Sequence, residues 1–136
     1  MDFFRWGPQF ELGVMKIDAQ HRQLVELVNR MYDAMTMGQG RQAVNGVLDE
    51  LITYTVMHFK TEEELMDRHG YSEAADHKAK HAAMTKKVLA LKKEADAGHS
   101  AVISTTVANF LKDWLEKHIS GTDRKYAEFF KAQGVN

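Results

Sequence analysis

Five histidines and two carboxylates stand in four short groups along the chain: His21 alone, His58 with Glu62, His77 with His81, and His118 with Asp123. They offer imidazole nitrogen and carboxylate oxygen, donors that suit iron, manganese, zinc or copper. His58/Glu62 and His77/His81 are i,i+4 pairs, so on a helix each pair projects from one face. His118 and Asp123 are five apart, which does not fit a continuous α-helix. Gly121 between them is expected to break the helix and let the carboxylate turn back toward the core. Taken singly, these residues say little: His21 alone reads as a hydrogen-bonded core residue, and Glu62 in the run Glu62-Glu63-Glu64 reads as part of a solvated face. Their meaning depends on whether the chain brings them together.

The elements that carry them read as helices. The first dozen residues form an irregular arm, with Phe3, Phe4, Trp6 and Phe10 giving it apolar surface to pack. A first helix is expected to begin after Asp18, a good N-cap, with Leu24, Val25, Val28, Met31, Tyr32 and Met35 recurring at three- and four-residue steps. It stops at Met37, before Gly38 and Gly40. A second runs from Arg41 to Arg68, its buried stripe marked by Val47, Leu48, Leu51, Ile52, Thr55, Phe59, Leu65 and Met66, and Gly70 ends it. Gly46 inside it costs roughly 1 kcal/mol against alanine. Ser72 can cap a third, carrying His77, His81, Met84, Val88, Leu91 and Ala95, which Gly98 stops. The fourth runs from Ser100 to Ile119 with Val107, Phe110, Leu111, Trp114, Leu115 and His118 inward. A short last helix with Tyr126, Phe129 and Phe130 covers one end of the core. The lone proline, Pro8, lies outside every helical pattern. The expected fold is all-α: an up-down-up-down four-helix bundle with an N-terminal arm and a short C-terminal helix, one domain over residues 1–136.

Helix rise then sets the level of each group. From His21 to Gly38 is 17 residues, roughly 26 Å along the bundle, and from Gly40 back to His58 is 18. From Glu62 out to Gly70 is eight residues and from Gly70 back to His77 is seven. From His81 to Gly98 is 17 and from Ser100 to His118 is 18. Each hairpin closes to within a residue or two, so all four groups share one layer near one end. His69 and His99 fall outside that layer and read as surface residues. Burying the layer without a neutralising partner would be very costly, since even one unpaired carboxylate is.

Seven donors exceed the four of a structural zinc. Five histidines, two bridging carboxylates and a bridging oxo or hydroxo group fill all but one position of two octahedra. A dinuclear redox metal with one vacancy among apolar residues is a place for a small molecule such as dioxygen.

Composition narrows the alternatives. The chain has 136 residues, enough for a core without covalent staples. It has no cysteine, which removes disulfides, thiolate metal sites and thiol nucleophiles. That also fits a reducing compartment, and the cytoplasm is the expected location. A net charge of −1 gives no field to draw nucleic acid or an anionic membrane, and Lys86/Lys87 and Lys92/Lys93 read as a solvated helix face. No apolar run approaches the roughly 20 residues needed to span a bilayer, and the start shows no secretory signal.

The pattern H…HxxxE…HxxxH…HxxxxD, standing as His21, His58 to Glu62, His77 to His81 and His118 to Asp123, resembles hemerythrin, specifically the bacterial hemerythrin-like domains. The aromatic arm and the segment Ile17-Asp18-Ala19-Gln20-His21 share the resemblance, which covers nearly the whole chain. It implies a non-haem site of two irons, bridged by an oxo or hydroxo group and by Glu62 and Asp123, that binds dioxygen reversibly. His77, His81 and His118 would hold one iron. His21 and His58 would hold the other, which carries the vacancy. An apolar dioxygen pocket is implied around Leu24, Trp114, Leu115 and Ile119, with walls that exclude water and protons. Other small ligands, such as nitric oxide or azide, are expected to share that pocket. The expected function is dioxygen carriage, storage or delivery rather than catalysis, because no base, nucleophile or substrate-sized polar pocket accompanies the metal residues. Two alternatives are a dioxygen- or redox-sensing module of a larger signalling protein, and a di-iron enzyme of the peroxidase or nitric oxide reductase type. The five-histidine set favours reversible binding over the carboxylate-rich Glu-x-x-His arrangement of ferritin-like proteins.

Overall fold

The computed structural model describes residues 3–37, 41–94, 96–97 and 100–135, with nothing said of the side chains at 41–44, 94 and 100–107. Gly38, Gly40, Ala95, Gly98 and His99 lie outside the described residues, as does the side chain of Val107. All regular structure among the described residues is helical: α1 (Met15–Thr36), α2 (Arg41–His69), α3 (Ala74–Glu94), α4 (Ser100–Lys117) and α5 (Arg124–Ala132), preceded by a 3-10 turn at Pro8–Phe10.

The long helices follow one another through short connections, which force neighbours antiparallel. α1 packs on α2 and α4, α2 on α3, and α3 on α4, closing an up-down-up-down bundle. Its core takes Leu24, Leu27, Val28 and Met31 from α1, and Leu48, Leu51, Phe59 and Met66 from α2. Met84 and Val88 come from α3, and Leu111 and Leu115 from α4. These are apolar positions at helical spacing, so burial against neighbouring stripes, not propensity alone, stabilises each helix. No helix among the described residues is long and apolar enough to cross a membrane.

α2 ends where its sequence says it should. Gly70 takes a φ of 69°, and the Tyr71 amide donates back to the Met66 carbonyl at 3.0 Å. That is a left-handed helix end, which glycine adopts without steric cost. α3 begins at Ala74, two residues beyond Ser72, with the Ala74 amide donating to the Tyr71 carbonyl. Lys92, expected on a solvated face, reaches across to Asp49 on α2 at 3.0 Å.

The beginning of the chain differs from expectation. α1 starts at Met15, one turn before the expected point, and Asp18 lies inside its first turn. The Asp18 carboxylate accepts hydrogen bonds from the amides of Leu12 (2.9 Å) and Gly13 (3.0 Å). It therefore secures the arm onto the helix instead of capping the helix, and it is buried in doing so. The arm is further held by reciprocal bonds between the Phe4 backbone and the Asn29 side chain and by Phe3 stacked on Tyr32 at 4.2 Å.

The end of the bundle differs too. Gly121 does not break the helix. His118–Asp123 continue from α4 into α5 as a π-helical turn, with both flanking residues, Lys117 and Arg124, in right-handed helical conformation. A π turn bonds i to i+5 and occurs often at functional sites. That register places His118 and Asp123 on one face without a bend.

His69, expected at the surface, is half-buried at the end of α2 with its ring 5.9 Å from that of Phe130.

Candidate metal centre

The four groups meet. His21 comes from α1, His58 and Glu62 from α2, His77 and His81 from α3, and His118 and Asp123 from the π turn. None of the seven is more than 5% exposed. Their donor atoms fall into two sets, His77/His81/His118/Asp123 and His21/His58/Glu62, each with all members within 4.8 Å of one another.

Two carboxylates join the sets. One oxygen of Asp123, Oδ1, lies 3.0 Å from Nε2 of both His77 and His118. The other, Oδ2, lies 3.2 Å from Nε2 of His21. Glu62 Oε1 lies 2.8 Å from His58 Nε2 and 3.6 Å from His81 Nε2. Each acid therefore faces histidines of both sets.

All five histidines turn Nε2 inward, and for two of them the outer nitrogen explains why. His58 Nδ1 donates to the Gln20 side-chain oxygen at 2.7 Å, and His81 Nδ1 to the Glu63 carboxylate at 3.0 Å. A proton held at Nδ1 leaves the Nε2 lone pair free to face the centre, the usual arrangement of a metal-ligating imidazole. The His81 and His118 Nε2 atoms approach to 3.2 Å. Two lone pairs at that distance repel unless a cation or a proton comes between them.

The polar balance shows what fits there. His21 Nδ1 and Nε2, both oxygens of Glu62, both oxygens of Asp123 and His77 Nε2 are buried without a hydrogen-bond partner. Such a concentration of unpaired buried groups is uncommon and costly. It is relieved by cations bound to nitrogen and oxygen, so the donor set fits two metal ions.

Burial holds His81 down to about 3, so its imidazole is neutral at pH 7. For Asp123, burial pushes upward, but His118, His21 and His77 outweigh it and keep the acid well below its ordinary range. His77 is also pressed downward by burial, yet the Asp123 carboxylate beside it prevails and raises it. A neutral imidazole and an ionised carboxylate are the ligating forms.

A stability prediction follows for the metal-free protein. The unfolded chain protonates His81 near its ordinary 6.5, whereas the folded one waits until about 3. Its folded value is depressed, so the stability it contributes is present above 6.5 and is lost as pH falls. Asp123 acts in the same direction at lower pH, and His77, being raised, acts oppositely above its ordinary value. Denaturant unfolding should show the metal-free protein weaker by about 2 kcal/mol at pH 5 than at pH 6.5. Stability that is flat or rises toward pH 5 would contradict the burial of a neutral His81.

Several contributors carry no spacing signal. Phe59, expected only as core, stacks on His81 with centroids 3.8 Å apart. Gln20 and Glu63 hold the outer nitrogens, though Glu63 read as part of a solvated run. Tyr126, expected as end cover, brings its ring 5.2 Å from that of His77 and buries a hydroxyl without a hydrogen-bond partner. Burial, with Glu62 and Asp123 beside it, pushes that hydroxyl well above its ordinary value. A carboxamide or acid on the helix turn facing a ligand was the one available hint, and it becomes specific only once helix neighbours are known.

Leu24, Leu115 and Ile119 are buried. Trp114 is half-buried, stacked on the His118 ring at 4.1 Å and 15°, and 5.6 Å from Phe59.

Known proteins resemble this chain over most of its length. Residues 12–130 match the family model described as the hemerythrin HHE cation binding domain. A bacteriohemerythrin of Stenotrophomonas maltophilia (strain R551-3) is 39% identical over 93% of this chain and 81% of its own. One of Methylococcus capsulatus (strain Bath) is 36% identical over 97% of this chain and 100% of its own. Among solved structures, a wild-type hemerythrin superposes with a TM-score of 0.86 at 35% identity, covering 93% of this chain and 96% of that one. A variant hemerythrin with one leucine changed to alanine gives 0.87 at 35% identity, covering 94% and 97%.

Proposed function

This chain belongs to the hemerythrin family, and on that premise we propose the full reading: a single di-iron domain that binds dioxygen reversibly to carry, store or deliver it, without catalysing a reaction. The observation that carries it is the Asp123 carboxylate, whose two oxygens face histidines of different sets. His77, His81 and His118 would hold one iron, and His21 and His58 the other. Glu62 and Asp123 would bridge the two. When bound, the iron pair supplies the electrons that capture dioxygen and takes them back when it leaves.

The chain's own residues do the rest. Gln20 and Glu63 keep Nδ1 protonated and Nε2 inward. Phe59 and Trp114 hold the rings of His81 and His118 by stacking. Leu24, Leu115 and Ile119, with Trp114, keep water and protons from the iron pair, which favours release of dioxygen over irreversible oxidation. The position that would be served by only two histidines has one protein donor fewer, so dioxygen, and equally nitric oxide or azide, would enter there.

The ligand assignment is tested at His118, which has no substitute on its face of the π turn. His118→Ala should retain fewer than two irons per chain after desalting, and full di-iron occupancy would sink the assignment. The pocket assignment is tested at Ile119. Ile119→Asp should admit water and speed autoxidation about tenfold, equivalent to a barrier lowered by about 1.4 kcal/mol. An unchanged autoxidation rate would remove Ile119 from the pocket.

A further inference from the structure

We infer that Glu63 and Gln20 tune the two metal positions to different degrees, because the outer nitrogen behind His81 meets a carboxylate, Glu63, whereas the one behind His58 meets a neutral amide, Gln20. The inference rests on the di-iron reading above and adds this unequal tuning to it. Both bonds are well formed, at 3.0 Å for Glu63 and 2.7 Å for Gln20. An imidazole N–H donated to an anion pushes electron density through the ring to Nε2, and one donated to an amide oxygen does so less. The stronger donor favours the more oxidised metal. This contribution favours earlier oxidation at the position of His77, His81 and His118 than at that of His21 and His58, in the same direction as the uneven count of histidines.

Local packing preserves the difference. Phe59 stacks on His81 at 3.8 Å with planes 6° apart, which fixes the plane of the ring while Nδ1 meets Glu63. The Gln20 amide is oriented as well. Its nitrogen faces Thr61 Oγ1 at 3.5 Å and Met57 Sδ at 3.8 Å, which leaves its oxygen for His58. Glu63 is half-exposed and lines, with Lys60, Lys78 and His81, an open groove of about 700 Å³ between α2 and α3. Its charge can therefore be removed without opening the core. Gln20 and Glu63 are positioning residues, since each acts through a histidine.

The test uses the iron-loaded protein and reads the two one-electron potentials. Glu63→Gln should raise the potential of the metal oxidised first by about 59 mV, the equivalent of tenfold, and leave the second nearly unmoved. Gln20→Glu should lower the other potential by a similar amount. The double exchange, Gln20→Glu with Glu63→Gln, should bring the two potentials closer together, since the uneven count of histidines remains. Calorimetric loading with zinc gives an independent readout: Glu63→Gln should weaken one of two equivalents by about 10- to 100-fold. A purely structural role for Glu63 would move both potentials and both affinities together. Unchanged potentials and affinities in both single variants would overturn the inference. Wild-type protein that takes up fewer than two irons would instead overturn the di-iron reading, and the inference with it.

Discussion

Asp123→Asn should leave the protein with no iron after desalting, where the unaltered chain retains two per molecule. The substitution keeps the shape of the side chain and removes its charge. Asp123 faces His77 and His118 through one oxygen and His21 through the other, so its loss is felt on both sides. It is also one of only two carboxylates among the seven buried donors, so half of the neutralising negative charge goes with it. An asparagine would moreover turn an amide nitrogen, a donor, toward one cation. The effect should exceed that of His118→Ala, which removes one neutral donor from one set. Circular dichroism should show that the variant remains helical. Retention of two irons by a folded Asp123→Asn protein would show that the acid does not join the sets.

Removing metal from the wild type should cost the fold heavily. A ligand that binds only the native state stabilises it by about 4 kcal/mol at a thousand times its Kd. For a chain of this size that corresponds to a fall in Tm on the order of 15 °C when a chelator strips the metal. The physical source is the set of buried atoms without partners: both oxygens of Glu62 and Asp123, His77 Nε2 and both nitrogens of His21. Without cations the fold must bury them against one another, and with cations all but His21 Nδ1 can gain a bond. Differential scanning calorimetry before and after chelation measures the difference. A Tm that stays the same would mean that these groups find other partners in the metal-free protein.

Much of this was legible from spacing, because an α-helix converts sequence separation into height and direction. The i,i+4 pairs and the nearly equal arms of each hairpin brought His21, His58, Glu62, His77 and His81 to one level. What escaped depended on hydrogen-bond choices that residue type does not dictate. Gly121 suggested a break, but its φ is not positive and the chain passes through it as a π turn. The five-residue interval that looked irregular for an α-helix is the regular repeat of that turn. Asp18 was expected to cap α1, but its carboxylate accepts from the amides of Leu12 and Gly13 rather than from the first turn of α1. A carboxylate near a helix start serves either partner equally well on paper. Gln20 and Glu63 were hidden for another reason. Their partners sit on other helices, 38 and 18 residues away, and only the packing of α1 on α2 and of α2 on α3 brings them into reach. Glu63 also stands beside Glu62 in an acidic run, where two neighbours point to different surroundings: Glu62 is fully buried and Glu63 half-exposed.

The central claim is a pair of irons that takes up dioxygen and gives it back. Anaerobic reduction of the iron-loaded protein, followed by repeated cycles of air and argon, tests it when visible absorption is recorded beside an iron count. Two irons per chain are expected, with a charge-transfer band that appears in air and fades under argon through several cycles. Fewer than two irons, or a single irreversible oxidation on first contact with air, would contradict it.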